Sequence, residues 1–475
     1  MITFKKYLQV IEEGGAYGHM ANMYEDTDLT FNQLRELTSG LFDKTIKADF
    51  KEKTDGQALA VTMKPTANGE VKAFFGRNAG HVKNGSETAL TVDEVKDKFQ
   101  GRGDLADAFI YSAVDISNAL ESLPLNVQES IFLSTDENNK GNWGYRWLHI
   151  EIVWPKTANV IPYGESLKKL IIHNYTEHNA TGEAIGSDFN QTAEYLVDEL
   201  RKIKNAEQEH FVIDFMPLIK PGDIKRAGER SAEYISYFNN LQNQYGLSDT
   251  NTVGDLYEEI YKAHILSKAE EFGFSEISDD ILNLLVNRWV YAVKQPSVTL
   301  IKNQIPNEEF KNWVANHDKT EHKTWSELNV RNVIKIPFIR IAIDILSGMS
   351  ELWMAADKEG ATENIRQRID NTISHFKELE GITDDIKTQA TVDKINKEME
   401  YVTQTGGLDN IMPTEGLTFL WNDKVYKLTG TFAPVNQILG QDPGRFAENV
   451  SRHLYTPAEG KSFNDTRLTG ILGPQ

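Results

Sequence analysis

At 475 residues, with 40% hydrophobic and 25% charged side chains, the chain can bury a sizeable core and is expected to hold two or three globular units. Its lack of cysteine excludes thiolate nucleophiles, cysteine-ligated zinc and disulfides, and it suits a reducing, cytoplasmic setting. A formal charge of −20 repels nucleic acid over the general surface, and no apolar run is long enough to cross a membrane.

In chain order, Met1 to Lys6 opens a charged amphipathic helix rather than a signal peptide. Tyr7 to Glu13 and Leu29 to Phe42 read as helices, the first stopped by Gly14 and Gly15, the second capped by Thr30. Strands begin near Thr45. The tetrapeptide Lys53, Thr54, Asp55, Gly56 precedes a strand from Ala58 to Met63, a turn at Thr66 to Gly69 and a second strand from Val71 to Phe75, which ends in Gly76, Arg77, Asn78, Ala79, Gly80. Helices are expected over Val92 to Phe99 and Leu105 to Leu123. Ser130 to Leu133, Tyr145 to Val153 and Lys169 to His173 are expected to add strands, with Tyr175 just past the last. Strands mixed with packed helices predict an α+β core.

From about Asp188 to Thr405 the pattern turns helical, apart from the apolar run Phe211 to Phe215. Expected helices there are Ala193 to Ile203, Arg230 to Gln244, Leu256 to Phe272, Ile277 to Val293, Val333 to Met354, Glu363 to Glu380 and Val392 to Tyr401, with no internal repeat. Glu415 and Gly416 then open a strand, Asn422 and Asp423 make a turn, and Lys424 to Thr429 returns as a hairpin partner. Phe432 to Leu439 and Phe446 to Leu454 are short and partly helical. The expected division is 1–187, 188–405 and 406–475.

The chemistry resides in a few of these positions. A lysine such as Lys53 attacks phosphorus only as the neutral amine, which neighbouring cations or a metal favour. Arg77, at a strand end before a glycine turn, offers a fixed fork of donors to a ribose or phosphate. Glu151 lies among Leu148, Ile150, Ile152 and Val153, so its carboxylate needs a partner. The bland readings are a turn for Asp55 and Gly56, a solvated edge for Lys424 and Lys427, and core packing for Tyr175. His149 and Glu151 form an H-x-E without the P-C-x-x-C of zinc deaminases. No P-loop or H-E-x-x-H occurs, His173, His178, His317 and His322 read as surface or packing residues, and Gly101, Arg102, Gly103 reads as a helix-start turn.

Taken in order, these signals resemble the covalent nucleotidyltransferase superfamily of ATP-dependent DNA ligases, RNA ligases and mRNA capping enzymes. The resemblance covers both ends of the chain. It implies an antiparallel-sheet nucleotidyltransferase core, similar to a ligase adenylation domain, interrupted between its third and fourth motifs by a large all-α insertion. Lys53 resembles the lysine that carries the nucleotide, with Asp55 and Gly56 completing that motif and Arg77 following it. Glu151 resembles the acidic residue of the third motif, Glu415 and Gly416 the E-G pair of the fourth, and Lys427 a lysine of the fifth. The family writes K-x-K there. This chain has Lys427, Leu428, Thr429, with Lys424 earlier in the hairpin, so either lysine is a candidate for the phosphate.

The resemblance further implies ATP and Mg²⁺, with Glu415 and Glu151 serving the metal, Glu52 accepting from the adenine amino group and Tyr175 near the base. It favours RNA-ligase-like or phage-type members over a standard DNA ligase, because no further OB-type domain with a sixth motif follows Lys427. The implied partners are RNA or nicked DNA ends, against which the acidity speaks, and a protein bound through the helical insertion. Two rivals stand beside ligation: an inactive binding module of the same fold, and transfer of the nucleotide to an acceptor other than nucleic acid.

Overall fold

The computed structural model describes residues 21–441, apart from 47–49, 79, 158, 165–166, 189, 204–208, 220–223, 225, 275, 292–295, 318–324, 349–357, 381–385 and 423. The expected helices at Tyr7 to Glu13 and Phe446 to Leu454, Gly14 and Gly15, and Asp423 of the expected turn lie outside the described residues.

In chain order the elements are β1 (Ala21–Asn22), α1 (Phe31–Asp43), β2 (Phe50–Lys53), β3 (Gln57–Pro65), β4 (Val71–Gly76), α2 (Val92–Phe99), α3 (Asp104–Glu121), α4 (Leu125–Phe132), β5 (Arg146–Val153), β6 (Lys169–His178), β7 (Ala184–Asp188), α5 (Gln191–Lys202) and β8 (Val212–Phe215). There follow α6 (Ala227–Tyr245), α7 (Val253–Glu271), α8 (Asp279–Tyr291), α9 (Val298–Asn303), α10 (Glu308–His317), a π turn (Glu327–Arg331) running into α11 (Asn332–Ser347), α12 (Lys358–Glu380), α13 (Ile386–Gln404), β9 (Gly416–Trp421), β10 (Lys424–Leu428) and α14 (Phe432–Leu439). The chain is α+β with antiparallel sheets. The stretch expected as a strand at Ser130 to Leu133 is instead the end of α4 and its C-cap, with Val127, Ile131 and Phe132 buried at helical spacing. Tyr175 falls inside β6 rather than beyond it.

The described residues divide into two compact units that share the chain in alternating segments. The first takes those of Met1–Lys53, Pro217–Met354 and Thr403–Phe432; the second takes those of Thr54–Met216, Ala355–Val402 and Ala433–Gln475. Residues 188–405 therefore contribute to both units, and the chain passes from one to the other between Lys53 and Thr54.

The first unit holds a four-stranded sheet in the order β1-β10-β9-β2, antiparallel except for the parallel pair β1 and β10. Strand alternation sends Phe50, Phe419 and Tyr426 to one face, where Phe419 stacks at 5.4 Å on Phe50 and 5.8 Å on Tyr426. Leu417 and Leu428 join them in a core shared with Leu34 and Leu41 of α1, Phe238 of α6, Leu256 of α7 and Ile341 of α11. Thr30 caps α1 as the sequence predicts: its hydroxyl accepts from the Gln33 N–H at 3.2 Å, and the Gln33 side chain accepts from the Thr30 N–H at 2.9 Å. Pro337 inside α11 cannot donate to the Val333 carbonyl, which accepts instead from the Tyr237 hydroxyl at 2.8 Å.

The second unit holds a six-stranded sheet along β4-β3-β5-β6-β7, with β8 added in parallel to the first half of β6 while β7 pairs with the second half. Leu59, Val61, Met63, Phe75, Leu148, Ile150 and Ile172 face α2 to α5, burying Phe99, Phe109, Ile116 and Leu196. Asp115 of α3, fully buried, accepts from the backbone N–H groups of His210 and Phe211, both at 2.8 Å, and so fixes the approach to β8. The opposite sheet face carries Ala58, Ala60, Trp147, His149 and Glu151 by the same alternation.

Candidate functional site

In the first unit, β2 and β9 pair so that Lys53 lies opposite Gly416. The residue just before β9 is Glu415, and its carboxylate forms an ion pair with the Lys53 ammonium. Both side chains are mostly removed from solvent, at 21% and 17% exposure, so two candidate residues from opposite ends of the sequence meet in one enclosed pair. Gly416 has φ +139°, and a Cβ there would stand 2.1 Å from the Leu428 carbonyl oxygen. Only glycine fits this crossing of β9 and β10.

The two candidate lysines of the hairpin lie on opposite faces. Lys424 pairs with Asp26 at 2.6 Å, and the Tyr426 hydroxyl donates to the same carboxylate at 2.7 Å. This is the face of Phe50 and Phe419. Lys427 lies opposite Thr418, which lies opposite Lys51, so Lys427 shares the face of Lys51 and Lys53. Glu52 alternates to the other side with Phe50, away from Lys53.

In the second unit, the rest of the tetrapeptide meets Glu151. A Cβ on Gly56 would stand 2.6 Å from the Ile152 carbonyl oxygen and 2.8 Å from Cγ of Glu151, so the glycine leaves room for that side chain. His173 Nε2 is 4.0 Å from Glu151 Oε2 and 3.5 Å from the Thr54 hydroxyl. It arrives there through a register shift: His149 pairs with Asn174 and Ile150 with Ile172, leaving His173 as the extra residue of a bulge. Its expected place as a surface or packing residue is thus beside Glu151, and only pairing across strands places it there.

Asp55 has a structural task. Its carboxylate accepts from the N–H groups of Val160 and Ile161 at 2.5 and 3.0 Å, and its own N–H donates to the Tyr163 hydroxyl at 2.9 Å. Arg368 of α12 donates to the Val160 carbonyl at 2.9 Å, fastening the same loop from the other side.

Arg77 and Tyr175 lie on the helix-packed face of this sheet, opposite to Glu151. The Arg77 guanidinium rests 4.4 Å over the Phe109 ring, and that of Arg146 rests 4.2 Å over the Tyr175 ring. On Glu151's face, His149 is fully buried and contacts the Thr176 hydroxyl at 2.5 Å, which in turn contacts His178 at 2.8 Å. Burial, with His178 and His173 nearby, pushes His149 well below the ordinary histidine range.

No family model matches this chain, and no curated protein or solved structure matches it either. The chemistry of the site therefore rests on its own residues. Among the described residues no group of three or more His, Asp or Glu side chains forms a metal cage. Mg²⁺ needs none, because it is commonly held by one or two carboxylates, retained waters and substrate phosphates. Glu415, enclosed beside a lysine, is a carboxylate suited to that use, and Lys51, Lys53 and Lys427 on one sheet face suit a phosphate chain.

Proposed function

We propose that this protein is an ATP-dependent, ligase-like nucleotidyltransferase in which Lys53 takes the nucleotide as a lysyl-AMP, with RNA ends the favoured acceptor. The observation that supports the reading most is the Lys53–Glu415 ion pair. The pair holds Lys53 in place as the ammonium, and Mg²⁺, by taking up the Glu415 carboxylate, would release the lysine to act as the amine. In the reaction the lysine ammonium gives one proton to solvent to become the attacking amine, its nitrogen forms a bond to the α-phosphorus while the bond to pyrophosphate breaks, and a second proton is lost to solvent, leaving a phosphoramidate N–H. Nucleotidyl transfer is mostly positioning and stabilisation of charge, which Lys427 and Glu415 would supply.

In the second unit, the resemblance alone gives Glu151 and Gly56 a part in nucleotide binding, and there Glu151 stands 4.0 Å from His173. Asp55 serves as a clip for the Val160 to Tyr163 loop. The acidity of the chain favours a second reading of the final step alone, transfer to an acceptor other than a long polynucleotide.

The test is incubation with α-labelled ATP, and separately GTP, with Mg²⁺, followed by denaturation. Label retained by the wild type with ATP and lost in Lys53→Ala is expected. No label from either nucleotide, in protein shown by mass to be free of prior adenylylation, overturns the covalent reading.

A further inference from the structure

In the first unit Phe238 of α6 meets Phe338 of α11 with ring centroids 5.7 Å apart. Beside this contact the two helices leave a groove of about 380 Å³, within the range of about 300–1,000 Å³ usual for small-molecule sites. From α6 come Glu233, Ser236, Tyr237 and Asn240, the spacing of one helix face. Asn332, Ile336, Pro337 and Arg340 come from α11. Because Pro337 cannot donate, the Tyr237 hydroxyl is tied to the Val333 carbonyl at 2.8 Å, while 37% of the tyrosine stays exposed.

The two ends of the groove differ. The Tyr234 hydroxyl donates to the Asp344 carboxylate at 2.8 Å, whereas Tyr237, further along α6, reaches back to Val333, so the helices pass in opposite senses. Burial raises the Asp344 carboxyl above its ordinary range; Glu233 raises it further and Arg340 lowers it, so these opposite charges share one end. Asn240 and Asn332 lie toward the other. Arg340 is already oriented: its Nε and Nη2 donate to the Gln404 carbonyl at 3.0 and 2.6 Å, and its Nη1 has no partner among the described residues. Glu233 stands 3.6 Å from Arg230, beyond hydrogen-bond length, and the Asn240 side chain makes no hydrogen bond among the described residues.

We propose that this groove binds a free aromatic L-amino acid, with its carboxylate on Arg340 Nη1, its ammonium on Glu233 and its ring over Tyr237 and Pro337. A fixed cation and an anion at one end match a zwitterion, and the tyrosine and proline surface matches an aromatic body. Seven residues separate Glu233 from Asn240, about 10 Å along the helix, enough for such a ligand lying lengthwise with the polar edge of its ring at Asn240. The proposal needs none of the chemistry proposed for Lys53.

The experiment titrates the full chain calorimetrically with L-tryptophan, with tryptamine, which lacks the carboxylate, and with indole-3-propionate, which lacks the ammonium. L-Tryptophan is expected to bind at least about tenfold more tightly than either analogue, the worth of one charge-assisted contact. Arg340→Gln is expected to abolish the preference over tryptamine and keep that over indole-3-propionate. Glu233→Gln is expected to do the reverse. A merely structural role for either residue would weaken all three ligands alike and leave both preferences in place. Where Arg340→Gln does not fold, Ser236→Trp, at an exposed position of the wall, fills the groove and is expected to abolish binding of L-tryptophan.

Failure of the wild type to bind L-tryptophan, or equal affinity for the three ligands, overturns the site. So do preferences that survive in both folded charge variants, or wild-type affinity for L-tryptophan in a folded Ser236→Trp.

Discussion

Lys53 and Glu415 form an ion pair although one closes β2 near the start of the chain and the other precedes β9 near its end. The pair follows from register: with Lys53 opposite Gly416, the preceding carboxylate is carried alongside the lysine. Glu415→Gln keeps the shape and removes the charge. Mg²⁺-dependent labelling of Lys53 is expected to fall by about a hundredfold or more, as when a single charged stabiliser is removed from a transfer site, while stability falls by only about 1–3 kcal/mol for the broken pair, leaving the protein folded in the assay. Labelling at the wild-type rate would refute the role of this carboxylate.

Gly56 tests the close approach in the second unit. A Cβ there meets the Ile152 carbonyl oxygen at 2.6 Å and Glu151 Cγ at 2.8 Å, so Gly56→Ala forces the backbone of β5 or the Glu151 side chain to move. Overpacking of this kind costs about 1–3 kcal/mol. A urea titration is expected to show that loss, and ATP binding by calorimetry is expected to weaken with it.

The tetrapeptide's aspartate should behave as a structural residue. Asp55→Ala leaves the N–H groups of Val160 and Ile161 without their acceptor, at about 1–3 kcal/mol for each group left buried and unmet. Asp55→Asn retains one acceptor oxygen and is expected to recover part of the thermal midpoint. A midpoint unchanged in Asp55→Ala, with labelling lost, would give Asp55 a chemical role instead.

Lys424 and Lys427 should separate cleanly. Lys424→Met removes the partner of Asp26, whose side chain is 3% exposed, and only the Tyr426 hydroxyl then remains among the two contacts described above. Stability is expected to fall by about 1–3 kcal/mol, below the full cost of a broken buried pair because Lys424 itself is 38% exposed. Labelling of Lys53 is expected to persist in Lys424→Met and to drop in Lys427→Met.

Acid should weaken the second unit through His178. Burial pushes this histidine below its ordinary range, against a smaller opposing pull from its contact with the Gly182 carbonyl. The unfolded chain therefore takes up the proton first, near pH 6.5, and the folded state loses stability from there down to its own lower value, by up to about 1.4 kcal/mol per pH unit for one group. Urea midpoints at pH 7.5 and 5.5 should differ in that direction, and His178→Gln should reduce the difference by its own share, the remainder coming from His149, which burial pushes further below its range.

Much of the local structure was legible. The capping box at Thr30, the hairpin of β3 and β4, and the helices of residues 227–291 follow from patterns that act over a few residues. Residues 130–133 misled because a short apolar run fits a strand or the end of a helix equally well, and packing against α5 and the sheet decided it. The strand β7 was missed because its side chains are largely exposed and carry no apolar alternation.

By itself the sequence determined the candidates for chemistry: a lysine in K-x-D-G, carboxylates at Glu151 and Glu415, and lysines near the chain's end. These depend on residue type and short spacing. Only the tertiary structure decided which of them meet. Strand parity put Lys427 with Lys53 and turned Lys424 to Asp26, register added the buried Lys51, and a bulge delivered His173 to Glu151. One residue of shift in any of these pairings would send the side chains to the opposite face, and that choice is made by partners far apart in the chain.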